Sequence, residues 1–343
     1  FTALQTNAAG AFDRLEEYQK TTADWMFGYL SYDLKNDVED LTSENFDGLH
    51  FPDLYFFQPK KLFLIKGNEV ELQYLRLVDD ELEEDIQSIQ KLISSEEKGR
   101  TTGQTPLRLK QRIPKNDYLK KVEEMLGHIQ RGDIYEANFC QEFFAEDTEI
   151  DPLETYQNLN AISNPPFASY LRLYDHYLLS ASPERYLQKK GNKLISQPIK
   201  GTAPRATTEE EDRKLIERLE NDPKERSENI MIVDLVRNDL SKTATKGSVE
   251  VEELCKIYTF KQVHQMISTV KAEVAEGIPA VEVIRSTFPM GSMTGAPKIS
   301  AMKIIEELEE SRRGVYSGAI GYFTPNADFD FNVVIRSILY NKA

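Results

Sequence analysis

Hydrophobic and polar positions along the first part of the chain predict strands followed by a helix. The aromatic-rich residues 23–34 (ADWMFGYLSYDL) predict a strand. Residues 61–75 (KLFLIKGNEVELQYL) predict a hairpin that turns at Gly67 and Asn68. An acidic amphipathic pattern then predicts a helix over about residues 80–96.

The periodicity is lost over residues 94–106 (SSEEKGRTTGQTP), which contain two glycines and a proline. We therefore expect a linker or mobile loop there. It divides the chain into an amino-terminal region, 1–100, and a catalytic region, 106–343.

The second region has a denser pattern of elements. Asn116 or Asp117 can cap a helix that ends at Gly132, and IYEANFCQEF predicts a strand. The strands HYLLSAS and KLISQPIK are expected to flank a turn at Gly191 and Asn192. Further helices are predicted at about 208–220, 223–240, 279–286 and 297–310, the second with Asp222 as its cap and Pro223 as its first residue. Grouped strands and grouped helices, rather than strict alternation, indicate an α+β fold.

Composition limits the partners that the chain can attract. The 343 residues are 40% hydrophobic, which suffices for a large core, and the formal net charge is −15. This charge gives no long-range attraction for nucleic acid or an anionic membrane. An anionic substrate must therefore be held by a few local cations.

The two cysteines are too few for a disulfide framework or a metal cluster, so the reducing cytoplasm is the expected compartment. No apolar run approaches the roughly 18 residues of a membrane span. We also expect no basic-then-apolar leader.

Lys200 is the most informative cation, because it lies at the end of an apolar strand between Pro198 and Gly201. Burial there would favour the neutral amine, which is the nucleophilic form. Glu184, in ASPERYL, ends a neighbouring strand, so the two side chains could supply a nucleophile and a general acid to one pocket. The alternative is a structural ion pair.

Glu225 and Glu228 lie three residues apart on a predicted helix and therefore share a face. Two such carboxylates can bind a hard cation through oxygen. A solvated acidic face, or acidic residues favoured by the helix dipole, would give the same spacing.

Two further segments contain candidate binding residues. Residues 288–302 (FPMGSMTGAPKISAM) place glycines before a helix, where backbone amides can hold an oxyanion, although a structural turn explains them equally well. Tyr316 and Arg336 can clamp a carboxylate. An arginine at a strand end can also pair with a structural aspartate.

The segments PIKGTAPR, IMIVDLVRNDL, FPMGSMTGAPKISAM and GVYSGAIGYF, in this order and spacing, closely resemble the chorismate-utilising enzymes. That family contains the anthranilate, aminodeoxychorismate, isochorismate and salicylate synthases. The resemblance covers nearly the whole chain, with FGYLSYDL matching the amino-terminal part. It implies antiparallel sheets packed face to face with helices outside, as in anthranilate synthase component I.

Within the family, a lysine in P-I-K-G-T resembles the aminodeoxychorismate synthases, whose product leads to p-aminobenzoate and folate. Anthranilate and isochorismate synthases have alanine at the position of Lys200. Isochorismate and salicylate synthases carry a water-activating lysine where this chain has Glu136, so the resemblance disfavours water activation. The implied reaction is attack of Lys200 on C2 of chorismate, protonation of the departing C4 hydroxyl by Glu184, and addition of ammonia at C4.

The resemblance also implies the substrate and metal contacts. Arg336 and Tyr316 would bind the enolpyruvyl carboxylate, and Mg²⁺ the ring carboxylate, with Glu228 as a direct ligand and Glu225 acting through water. The residues expected to line the ring include Gly201, Thr202, Gln265 and Ser292. Ammonia would come from glutamine through a separate amidotransferase subunit, since the chain shows no evident nucleophilic cysteine partnered by histidine.

Two departures from the family pattern bear on the alternatives, which are anthranilate synthase component I and a non-catalytic chorismate-binding homologue. Anthranilate synthases have a histidine where this chain has Gln265, which weakens the first alternative, as Lys200 does. Family members also continue past the VIRS segment to two more metal-binding glutamates, whereas this sequence stops at Ala343. A missing half of the metal site would favour the non-catalytic homologue.

Overall fold

The computed structural model describes residues 1–94 and 107–342, so the predicted linker lies outside the described residues except for Ser94, the last residue of a helix. The strands in the described residues are β1 (Ala3–Thr6), β2 (Met26–Leu30), β3 (Leu54–Phe57), β4 (Lys61–Lys66), β5 (Glu69–Tyr74), β6 (Lys110–Gln111), β7 (Glu136–Ala137), β8 (Phe143–Phe144), β9 (Phe167–Leu173), β10 (His176–Ser182), β11 (Arg185–Lys190), β12 (Lys193–Gln197), β13 (Ile199–Pro204), β14 (Glu250–Thr259), β15 (Val263–Glu273), β16 (Gly295–Ala296), β17 (Ala319–Phe323), β18 (Phe329–Val333) and β19 (Ser337–Asn341). The helices are α1 (Ala11–Thr22), α2 (Lys35–Val38), α3 (Leu82–Ser94), α4 (Lys115–Arg131), α5 (Pro152–Ser163), α6 (Glu209–Glu220), α7 (Pro223–Ser241), α8 (Ala280–Thr287) and α9 (Lys298–Leu308).

A ten-stranded antiparallel sheet forms the centre of the fold, in the order β1-β3-β2-β17-β18-β11-β12-β15-β13, with β14 also paired to β15. Strands from both predicted regions share this sheet, because β2 pairs with β17 through Gly28 and Gly321. A three-stranded sheet has the order β19-β10-β9. The fold is therefore α+β with antiparallel sheets, as the sequence predicts.

Apolar side chains cover both faces of the large sheet. On one face, α1, α7 and α8 contribute to the main core, represented by Phe12, Ile232 and Ile284. On the other face, Tyr29 and Ile320 of the large sheet belong to one buried cluster with residues of the small sheet, such as Leu178. The two sheets therefore pack face to face.

Most predicted helices form where their end signals lie. Asp222 caps α7, since its carboxylate accepts hydrogen bonds from the backbone N–H groups of Lys224 and Glu225, and Pro223 is the first helical residue. Thr208 caps α6 through the N–H of Glu211. The predicted cap of α4 is wrong, because the helix begins at Lys115 and the cap position is Pro114.

Two strand predictions also need correction. The hairpin at Gly191 and Asn192 joins β11 to β12, whereas HYLLSAS forms β10 and pairs with β9 and β19. Alternation identifies strands but not their partners. The segment IYEANFCQEF is mostly irregular; it contains the short strand β7 and the first residue of β8. In the described residues, no helix is long and apolar enough to cross a membrane.

Arg313 connects several distant segments in the interior. Its guanidinium pairs with Glu309 through two hydrogen bonds of 2.9 and 2.6 Å and donates to the carbonyl oxygens of Met293 and Asn138, each at 2.6 Å. It also stacks on the Tyr32 ring, 4.5 Å from the centroid. Both charged residues are buried, so this pair has little access to water.

We predict that Arg313→Met lowers the free energy of unfolding by about 3–5 kcal/mol, because the Glu309 carboxylate stays buried without its partner. Urea unfolding measures this change. Arg237→Met is the control, since Arg237 pairs with Asp234 at 2.7 Å on the exposed surface, and we expect it to cost less than about 1 kcal/mol. Equal losses of stability in the two variants would contradict the prediction that the buried Arg313–Glu309 pair matters more than the exposed Arg237–Asp234 pair.

Candidate active site

Two chain crossings between the sheets place Glu184 beside Arg336. Glu184 lies where the chain leaves β10 for β11, and Arg336 lies where it leaves β18 for β19. The crossings are joined by hydrogen bonds from the N–H of Val333 to the carbonyl of Glu184, at 3.1 Å, and from the N–H of Ala181 to the carbonyl of Arg336, at 3.2 Å. Arg336 has a φ of 51°, a left-handed conformation that is uncommon outside glycine and clusters at functional sites.

Lys200 reaches the same site from β13. Pro198 interrupts the predicted strand, so KLISQPIK forms β12 and β13 instead of one continuous strand. The side-chain amide of Asn229 on α7 donates to the Lys200 carbonyl at 3.3 Å, which fixes the strand against the helix. Gly201 has a φ of 92° and leaves little room for a side chain, since a Cβ there would lie 3.2 Å from Glu225 Oε2.

The Lys200 amine forms an ion pair with a residue that was not predicted as part of the site. Lys200 Nζ lies 2.6 Å from Glu136 Oε1, and the two side chains are only 17% and 13% exposed. Lys200 therefore has a carboxylate neighbour other than Glu184, the partner considered from the sequence. One signal in the sequence could have suggested this pairing, namely that the family resemblance already placed Glu136 at a position where related synthases have a functional lysine.

Glu184 is the buried carboxyl group of the site. Burial raises the pKa of Glu184 to about 7. Its neighbours oppose this rise because each favours the charged form; in decreasing order they are the Ser292 hydroxyl, Lys200, the Ile199 N–H and Arg336. Ser292 Oγ forms no hydrogen bond in the described residues, so its hydroxyl affects Glu184 only as a nearby polar group. A carboxyl group that titrates near neutrality suits a general acid.

Several buried polar atoms around these groups have no hydrogen-bond partner. They are Glu136 Oε2, Gln265 Oε1 and Ser292 Oγ. Gln265 is opposite Thr202 across the β13–β15 ladder, which brings both to the lysine strand. Buried polar atoms in a native protein normally have partners. This concentration of unsatisfied atoms therefore indicates a place that a polar ligand fills.

Arg336 and Tyr316 stand in different surroundings. Burial lowers the pKa of Arg336, while nearby Glu184 opposes the shift, so the guanidinium belongs to the acid's environment. Burial raises the pKa of Tyr316, and its titratable neighbours are Cys140, Arg313 and Glu309. The described residues give no contact between the Tyr316 and Arg336 side chains, so the predicted clamp stays a prediction.

Glu225 and Glu228 share one face of α7, as their spacing predicts. Lys224 Nζ lies 3.3 Å from Glu228 Oε1 and 4.0 Å from Glu225 Oε1, so one cation already bridges both carboxylates. Glu225 also lies over Gly201, next to the lysine. Within residues 1–94 and 107–342, no group of three or more acidic, histidine or cysteine side chains could enclose a metal. Glu225 and Glu228 offer two carboxylate donors of the kind that a hard cation takes, without a third ligand beside them in these residues.

Comparison with known proteins supports one family. A model of the chorismate binding enzymes matches residues 2–343. Aminodeoxychorismate synthase component 1 of Bacillus subtilis (strain 168) is 35% identical over 325 residues, covering 91% of this chain and 68% of that protein. The Salmonella typhimurium protein of the same name is 39% identical over 243 residues, covering 70% of this chain and 53% of that protein. The chain thus spans about half the length of the Salmonella relative.

A solved structure has the same fold. Anthranilate synthase component I from Streptococcus pneumoniae TIGR4 superposes with a TM-score of 0.82 at 28% identity, covering 92% of this chain and 72% of that chain. The α+β architecture with antiparallel sheets is therefore that of an anthranilate synthase component I-like fold.

Glu184 makes stability depend on pH. Because its folded pKa of about 7 lies above the ordinary value of 4.5, its proton stabilises the folded state at low pH, and this contribution is lost as the pH rises through about 7. Glu184→Gln removes the charge but keeps the shape. We predict that its stability relative to the wild type increases by about 2 kcal/mol between pH 5 and pH 8. Urea unfolding at both pH values tests this; a difference that does not change with pH would contradict it.

Proposed function

The chain belongs to the family of chorismate binding enzymes, and from that membership we propose that it is an aminodeoxychorismate synthase component, a transferase of a nitrogenous group. It would convert chorismate and ammonia to 4-amino-4-deoxychorismate, the precursor of p-aminobenzoate and folate. One observation carries the proposal: the amine of Lys200, on β13, and the buried carboxyl group of Glu184, between β10 and β11, approach the same site.

This pair supplies the two groups that a lysine-mediated substitution requires. The Lys200 nitrogen attacks C2 of the ring as the C4–O bond breaks, and Glu184 gives its proton to the departing hydroxyl, which leaves as water. Ammonia then forms a bond to C4 and displaces the lysine from C2. Each proton-transfer role contributes on the order of 100 to 10,000-fold in rate.

Binding of an anionic substrate follows from the local charges. Chorismate has two carboxylates, whereas the chain has a net charge of −15, so individual cations must hold it. Arg336 lies beside the acid and suits the enolpyruvyl carboxylate, with Tyr316 as its predicted partner. Thr202, Gln265 and Ser292 offer polar atoms for the ring. The strained conformation of Arg336 is consistent with a binding role.

Magnesium is part of the proposal, because the carboxylates of Glu225 and Glu228 lie on the same face of α7, beside the strand that carries Lys200. Glu228 would hold the ion directly and Glu225 through water. When bound, the ion neutralises the ring carboxylate of chorismate.

Ammonia would come from a separate glutamine amidotransferase subunit. Hydrolysis of glutamine by a cysteine needs a thiolate. Burial raises the pKa of Cys140 to about 11 and also raises the pKa of Cys255, so neither thiol is activated. A cytoplasmic location agrees with the free state of both cysteines.

Anthranilate synthase is the second candidate, because the solved structure with this fold carries that name. Lys200 distinguishes the two activities, since the lysine nucleophile belongs to the aminodeoxychorismate reaction. A non-catalytic homologue would bind chorismate without turning it over. Incubation with chorismate, ammonium and Mg²⁺, followed by identification of the product, separates all three.

We predict that the wild-type protein, given chorismate and Mg²⁺ without ammonia, gains the mass of chorismate less one water. Intact mass spectrometry detects this adduct, and Lys200→Ala should show none because no amine can attack C2. Lys200→Arg should also be inactive with ammonium. Substantial activity of Lys200→Arg together with no wild-type adduct would mean that the lysine acts only as a cation.

We also predict that product formation requires Mg²⁺ and that Glu228→Gln abolishes it while the protein stays folded. The amide keeps the shape of the side chain but loses the charge that holds the ion. The control is Glu217→Gln, on the exposed surface of α6, where the side chain is 63% exposed and 3.7 Å from Arg213. Full activity in EDTA would contradict the metal assignment.

A further inference from the structure

Glu136 is held rigidly at the site. It forms the two-residue ladder of β7 and β16, opposite Ala296. The neighbouring Gly295 packs so closely that a Cβ there would lie 2.2 Å from the Glu136 carbonyl oxygen. The backbone N–H of Tyr135 donates to the Ala296 carbonyl at 2.7 Å and secures the same contact. These contacts fix the position of the Glu136 backbone, from which the side chain reaches the site.

The Glu136 carboxylate uses only one of its oxygens. Oε1 lies 2.6 Å from Lys200 Nζ, which is its one ion-pair partner in the described part of the chain. Oε2 is buried and has no hydrogen-bond partner. An ordinary structural ion pair would satisfy both oxygens. The Glu136 carboxylate can therefore accept another hydrogen, and it lies next to Lys200 Nζ, the atom that the proposed reaction must deprotonate.

We propose that Glu136 is the base that removes a proton from Lys200, an inference that rests on the proposed function. The transfer converts the Glu136 carboxylate to the acid and the Lys200 ammonium to the neutral amine. The amine lone pair then forms the N–C2 bond as the C4–O bond breaks, and the leaving oxygen takes its proton from Glu184. The adduct nitrogen carries one positive charge and Glu184 one negative charge, so the total charge is unchanged.

The second half of the reaction restores both carboxyl groups. Ammonia forms the N–C4 bond, and the lysine leaves C2 as a neutral amine. The new ammonium at C4 gives a proton to Glu184, and Glu136 returns its proton to Lys200. Glu136 and Glu184 thus have opposite roles: one begins as a base paired with an ammonium, the other as a buried acid.

The test is the rate of adduct formation from chorismate and Mg²⁺ without ammonia, followed by intact mass. Glu136→Gln keeps the shape of the side chain but cannot accept the proton, so we expect the rate to fall by about 100 to 10,000-fold. Chorismate affinity, measured separately, should stay unchanged. The matched control is Glu142→Gln, from the same segment, whose carboxylate pairs with Arg112 at 2.8 Å. It should form the adduct at the wild-type rate.

Formate provides a readout that a structural role would not give. In Glu136→Ala, added formate should restore adduct formation in proportion to its concentration, because a small carboxylate can occupy the vacated position and accept the proton. The inference is wrong, and the proposed function still stands, if Glu136→Gln forms the adduct at the wild-type rate. The same holds if Glu136→Ala forms it slowly and formate does not accelerate it. Absence of an adduct in the wild type overturns the proposed function and the inference with it.

Discussion

The site depends on the hydrogen bonding of two chain crossings between the sheets. Each crossing leaves one sheet for the other, and backbone hydrogen bonds join them on both sides of Glu184 and Arg336. A further bond of 2.8 Å connects Ser337 to Ser180. Because the backbone is fixed here, a carboxyl group can be kept in a desolvated position where its charged form is disfavoured. The acid and the arginine are thus placed by the same constraint that holds the sheets together.

Local signals predicted the helices well and the strand partners poorly. The bounds of α6 and α7 follow from Thr208 and from Asp222 with Pro223, which satisfy free backbone donors at the helix starts. Strand pairing has no comparable local signal. HYLLSAS reads as a strand beside a turn, yet its partners are β9 and the distant β19. Alternation of side chains specifies the buried face and leaves the neighbouring strand open.

The same distinction applies to the site. Motif resemblance identified Lys200, Glu184 and Arg336, and the structure brings these three together. It could not identify the pairing of Lys200 with Glu136, because that contact depends on how the irregular segment after α4 folds against β16. Tyr316 also shows the limit, since its neighbours in the structure are Cys140, Arg313 and Glu309 rather than Arg336. Long-range packing decides such contacts, and one sequence does not encode them in any local pattern.

The pairing of β2 with β17 has a consequence for biosynthesis. Gly28 faces Gly321 across this ladder, so the edge of β2 stays uncovered until the ribosome has made β17, far along the chain. During translation, β1, β2 and β3 can form only a small sheet with an open side. Contacts between such distant segments form slowly because of the entropy of loop closure. The nascent chain therefore exposes an unpaired strand edge throughout the synthesis of the residues between β2 and β17, the condition under which chaperones improve the yield of folded protein.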